Sequence, residues 1–161
     1  MKEAFERMLR HMAWADRRIG ATLGKAERSA ADTEDAEQAG LPLEAAKLYA
    51  HVVGAEANWL SRLTGGDSFV APIFPAWNVA EASARSEELL PKFETFIAAC
   101  DDFERLVVYR TSTGAEFRTS VADILTHVFL HGSYHRGQIN ARLRGAGLEP
   151  TPVDYILFAR E

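Results

Sequence analysis

The sequence predicts an all-α protein: a four-helix bundle with long crossing loops and a small β-prone hairpin between helices 3 and 4. Three observations carry that prediction. Apolar residues recur at three- and four-residue spacing over four stretches of about twenty residues, long enough to pack lengthwise. Breaks rich in Gly, Pro and Thr separate these stretches. The 161 residues, with 47% hydrophobic and 25% charged side chains, suit a single domain spanning 1–161 with its own core.

The first helix is expected over about residues 2–24, with Phe5, Met8, Leu9, Met12, Ile19 and Leu23 on one face. A polar stretch, Glu27 to Gly40, follows and ends at Leu41-Pro42, where Pro42 suits a first helical turn. The second helix should run to about Leu63, with Leu48, Val52, Ala55, Trp59 and Leu63 as its stripe and Thr64-Gly65-Gly66 as its stop. Residues 65–77, full of Gly, Pro and aromatics, read as an ordered crossing loop. Asn78 is the expected N-cap of a third helix to about Cys100, with Leu89, Phe93, Phe96 and Cys100 inward and Pro91 as a source of a kink. Leu106–Tyr109 and Glu116–Arg118 flank a Thr-Gly turn and suggest the hairpin. Thr119 or Ser120 should cap the fourth helix, which runs to about Arg144 before Gly145 and Gly147. The apolar tail Val153–Phe158 is expected to pack back on the bundle.

Charge excludes some functions. The net charge is −5 and the pI about 5.6, which does not supply the basic surface nucleic acids require. The pairs Arg17-Arg18 and Arg142/Arg144 read as solvated helix faces. No apolar run of about 18 residues exists, so no membrane span is expected. The charged start, Met1 to Arg7, lacks a signal-peptide core, and a cytoplasmic location is the expectation. Cys100 is the only cysteine, which rules out an intrachain disulfide, and its apolar setting marks it as an inert core thiol.

The chemistry concentrates in a histidine ladder. Three of the five histidines, His127, His131 and His135, recur four residues apart in the fourth helix. Side chains at that spacing stack on one face, so two imidazoles can reach one metal ion. Helical rotation separates them, placing His135 about 40°, His131 about 80° and His127 about 120° from the apolar direction. His131 and His135 are therefore the inward pair, and His127 lies toward the rim. His51 follows Leu48 by one turn in the second helix and is the expected third ligand. Three neutral imidazoles leave coordination positions open, the pattern of a catalytic rather than a structural site. Zinc, nickel, iron or copper all accept such a set. Gln138 and Tyr134 lie nearby as candidates to orient a ligand, although a packing role against another helix or subunit is the plainer reading of Tyr134. Arg136 is expected to bridge to an acidic group such as Asp154. Phe74 and Trp77, on the crossing loop, are candidate walls of the pocket, although burial as loop anchors is the plainer reading of both. His11 has no evident partner and reads as a surface or boundary residue.

The run His127-Val-Phe-Leu-His131-Gly-Ser-Tyr-His135-Arg136-Gly137-Gln138-Ile139, followed by Leu143-Arg144-Gly145-Ala146-Gly147, resembles the DinB family of damage-inducible bacterial proteins. Pro152-Val153-Asp154-Tyr155, the early Ala13-Trp14-Ala15-Asp16 (where the family often has Asn in place of Asp16) and His51 with Trp59-Leu60 extend the match over nearly the whole chain. The resemblance implies a four-helix bundle, often a homodimer, with a divalent metal held by His51, His131 and His135. Zinc or nickel is the leading expectation, with iron or manganese next. The wider superfamily contains metal-dependent transferases of low-molecular-weight thiols, so the resemblance implies a thiol S-transferase acting on a small-molecule substrate in stress or detoxification. A non-catalytic dimeric metal-binding stress protein and a metal-dependent hydrolase are the alternatives, because family membership indicates a site before it indicates a reaction.

Overall fold

The computed structural model describes residues 1–31 and 40–161. Five helices and one hairpin follow in chain order: α1 Lys2–Ala31, α2 Gly40–Leu63, α3 Val79–Ala99, β1 Leu106–Arg110, β2 Glu116–Ser120, α4 Val121–Gly145 and α5 Tyr155–Phe158. The expected all-α bundle is what forms. α2 lies along α4 and α1 along α3, with α2 also against α3. Their facing stripes make one core around Leu9, Ile19, Tyr49, Val53, Phe93, Ile97, Leu125 and Ile139.

Most boundaries fall where local chemistry puts them. Asn78 caps α3 through a capping box: its side chain accepts from the Glu81 N–H at 2.9 Å, and its own N–H donates to the Glu81 carboxylate at 3.0 Å. α3 continues through Pro91 without a break. Ser120, the second of the two expected caps, accepts from the Asp123 N–H and starts α4. α1 runs past its expected end near residue 24, to Ala31. The extra turns, beginning Lys25-Ala26-Glu27-Arg28, contain good helix formers whose polarity hid them from an apolar-periodicity reading. Most of the expected polar connection, residues 32–39, lies outside the described residues.

The hairpin pairs Leu106 with Ser120 through Arg110 with Glu116. Val107 and Tyr109 face the bundle, and Tyr109 packs edge-on against Trp59 of α2 at 5.1 Å. Cys100 is buried, as expected of a core thiol.

Two expectations about the tail and core need correction. His11 is not a boundary residue. It is only 4% exposed and makes a 3.0 Å hydrogen bond to the Val153 carbonyl, between the rings of Tyr155 and Phe158. It is the receptor for the C-terminal segment, which does pack back on α1. Arg136 does not bridge to Asp154. It crosses the core and donates to the Asp16 carboxylate at 2.7 Å, with both side chains 1% exposed. Gly132 makes this possible: a Cβ there would lie 2.8 Å from an Arg136 Nη. The buried partner wins because a buried guanidinium needs a buried counter-charge, whereas Asp154 is exposed.

The crossing loop is tied down rather than draped. Asn58, buried in α2, accepts from the Val70 and Ala71 N–H groups at 2.7 and 2.9 Å and donates to the Ala71 carbonyl at 2.9 Å. Further along, Pro75 lies so close to α2 that a Cβ at Gly54 would meet it at 2.8 Å. Asn58→Ala should cost about 1–3 kcal/mol, because it leaves loop N–H groups without acceptors. It should also weaken metal binding by about tenfold, since the same loop orients His51 (below). Urea denaturation and a metal-competition titration check the two effects. Lost stability with unchanged metal affinity would show that the loop does not position the histidine.

Candidate metal centre

The bundle brings His51 of α2 to His131 and His135 of α4. One ring nitrogen from each lies within 4.8 Å of the others. Ring centroids are 5.1 Å apart for His51–His131, 4.7 Å for His51–His135 and 4.4 Å for His131–His135. At metal–nitrogen bonds of about 2.1 Å, tetrahedral donors sit about 3.4 Å apart, so small ring rotations suffice.

Hydrogen bonding prepares the rings as ligands. His51 Nδ1 meets the carbonyl of Ile73, which can only accept, so Nδ1 carries the proton and Nε2 presents a lone pair. His135 Nδ1 likewise donates to Gln138 Oε1 at 2.8 Å. His135 Nε2 then faces His131 Nε2 at 3.1 Å. Two imidazole nitrogens at that distance, one already a bare lone pair, form a donor set that fits a cation. Such outer hydrogen bonds fix tautomer and ring orientation in histidine metal sites. The set could hold a metal ion, and no fourth His, Cys, Asp or Glu joins it among the described residues.

Electrostatics favour the neutral rings. Burial, reinforced by the neighbouring His135 and His51, pushes His131 down to about 4. Burial also lowers His135, against the Gln138 hydrogen bond, which raises it. Unfolding returns His131 to its ordinary 6.5. Between pH 6.5 and about 4 the unfolded chain therefore binds a proton that the folded chain does not. This contribution to stability is complete above pH 6.5 and is lost as pH falls toward 4. In metal-free protein, His131→Gln should flatten the fall of stability between pH 7 and 4.5, measured by urea denaturation. An unchanged slope would place that proton uptake elsewhere.

The surroundings match the sequence reading in part. Phe74, exposed rather than buried as a loop anchor, stacks on His51 at 4.6 Å and walls the site. Trp77 does not. It sits under Arg85 at 4.3 Å, lining a separate cavity of about 500 Å³ between α2, α3 and the loop. Tyr134 is 65% exposed and meets the edge of the His135 ring, so no helix among the described residues buries it. Gln138 reaches the site by holding His135. His127 lies outside the convergent set, packed between Trp59 and His131, with its pKa lowered by burial and by the positive charge of Arg62.

Sequence reasoning missed the backbone carbonyl of Ile73, the clamp Asn58 and a buried acid, Glu56. The signal for Asn58 was present: a poor helix former inside an apolar helix, a few residues before a Gly/Pro-rich loop. Glu56 is buried beside Asp16 and Arg136. Burial, then the nearby Asp16 charge, holds its carboxyl well above the usual range. Burial also raises Asp16, opposed by Arg136. Burial thus raises both acids around the one Arg136 cation, Glu56 the more strongly.

Comparison with known proteins agrees with this architecture. Over 70 residues the chain is 33% identical to Protein DinB of Bacillus subtilis (strain 168); the stretch is 44% of this chain and 41% of that protein. The chain thus covers about two fifths of that relative's length. The DinB family model matches residues 1–161, and the chain belongs to the DinB family.

Proposed function

We propose that the protein is a metal-dependent thiol S-transferase that uses a low-molecular-weight thiol in detoxification or stress. The observation that carries this reading is the open donor set: three convergent imidazoles, two of them held in the ligand tautomer, with no fourth acidic, thiol or imidazole ligand among the described residues. When bound, a divalent ion, zinc or nickel first, lowers the pKa of a coordinating thiol and holds its sulfur as thiolate at neutral pH. The chain has no cysteine but the buried Cys100, which fits a borrowed thiol. The Ile73 carbonyl and Gln138 hold His51 and His135 in the tautomer that leaves Nε2 free. Phe74 shields one side of the site from water. The exposed Tyr134 hydroxyl, beside His135, is available to hydrogen-bond an electrophile. The hairpin's outward side chains Leu106 and Val108 are exposed, and a second copy of the chain would cover them in the proposed homodimer. No helix among the described residues is long and apolar enough to cross a membrane, consistent with a place in the cytoplasm.

The test is thiol conjugation to an electrophile such as monochlorobimane, with glutathione, bacillithiol and mycothiol offered in turn to metal-loaded and chelated protein. Metal-dependent turnover with one thiol, lost in His131→Ala, is the expected result. Metal binding without turnover on any of them would favour a non-catalytic metal-binding protein. Metal-dependent ester or amide hydrolysis without thiol would favour the hydrolase.

A further inference from the structure

Arg62 is a buried cation with no counter-charge among the described residues. It is 8% exposed, three turns beyond His51 on α2. Its guanidinium lies 4.2 Å from the Trp59 ring centroid, 4.9 Å from Phe69 and 5.1 Å from Tyr109. Nε donates to the Ser68 carbonyl at 2.9 Å. No carboxylate of the described residues pairs with it, whereas Arg17, Arg110 and Arg136 each have one. Its two Nη atoms have no acceptor in the described chain, yet they are not sealed from solvent as Arg136 Nε is.

Removing a guanidinium from water without an anion costs several kcal/mol. Aromatic faces return about 0.5–2 kcal/mol each and leave the charge in place. A side chain needed only to fill this space would be better neutral. The arrangement instead keeps a full positive charge, with its hydrogen-bonding edge free, in a rigid aromatic frame. That frame is continuous with the histidine site. Trp59 packs on Arg62 on one side and on His127 at 5.1 Å on the other, and His127 packs on His131 at 5.3 Å.

We propose that Arg62 binds an anionic group, a carboxylate or an equivalent oxyanion, on the molecule whose reactive end occupies the histidine site. This rests on the thiol-transferase reading and adds the substrate class to it. The guanidinium folds back over Trp59, eight residues from His51, so the anion lies about 12 Å along α2 from the reacting end. At about 3.3–3.6 Å per extended residue, that span is three or four backbone units. Simple mercapto acids are too short, and a tripeptide-sized anionic thiol fits.

The test uses the zinc-loaded chain with two probes, glutathione and its diethyl ester, which share the thiol and differ in their carboxylate charges. The parent chain should bind the acid about tenfold more tightly or better, a charge-assisted hydrogen-bond effect. In Arg62→Gln the two probes should bind within about twofold of each other, with zinc content unchanged. No preference in the parent, or a preference that persists in Arg62→Gln, overturns the proposal. A second readout needs neither variant nor zinc: the Arg62 Nε–H resonance, protected by its bond to Ser68, should shift saturably with S-methylglutathione and not with its diethyl ester. A resonance that stays still overturns the proposal even where zinc binding succeeds. A shift in a chain that takes up no zinc supports anion binding by Arg62 and sinks the metal reading alone.

Discussion

Metal-loaded protein will hold about one divalent ion per chain, and His51→Ala or His135→Ala will bring that content close to zero after dialysis. The three-imidazole set has no spare ligand among the described residues, so a lost ring leaves only two donors. His131→Ala should act the same way. His127→Ala should keep the ion, because His127 packs on Trp59 and His131 rather than joining the convergent nitrogens. Elemental analysis, with circular dichroism as the check on folding, reads all four variants. Unchanged metal in His51→Ala would dissolve the site assignment. Loss in His127→Ala with retention in His131→Ala would mean that the ladder uses a different pair.

The second large effect is on stability. Asp16→Ala should cost about 3 kcal/mol or more, because it strips a fully buried guanidinium of its counter-charge. Glu56→Gln should cost less than about 1 kcal/mol, since burial raises the carboxyl toward its neutral form and Gln is a neutral group of the same shape. These two buried acids, neighbours of one arginine, are thus expected to differ sharply in a urea denaturation series. Glu56 can ionise in place of Asp16, so adding Glu56→Gln to Asp16→Ala should deepen the loss beyond the sum of the single effects. Equal costs for the two single variants would show that burial does not keep Glu56 neutral.

Asp16 also shows what a linear reading loses. The sequence marks Arg136 as a structural cation, but it offers acids such as Asp154 shortly beyond the helix end and gives no sign of a partner in the first helix. The partner in the fold is 120 residues away, admitted by the missing Cβ of Gly132. His11 was illegible for a similar reason: its partner is a backbone carbonyl of the C-terminal segment, and a carbonyl carries no sequence signature. The Ile73 carbonyl that prepares His51 is a third case. The end of α1 was misread on different grounds, because polar helix formers carry no apolar stripe.

By itself the sequence determined the four apolar-periodic stretches, the Asn78 cap and a Thr119-or-Ser120 cap, the hairpin between helices 3 and 4, and the rotational order that sets His127 apart from His131 and His135. These depend on chemistry within a few residues, where helical geometry is fixed at about 100° per residue. Only the tertiary structure decided how His51 meets the pair on α4, which carbonyl sets its tautomer, which acid neutralises Arg136 and that Arg62 has none among the described residues. Each of those depends on contacts between residues far apart in the chain, and backbone groups and packing distances enter them as much as side-chain identity does.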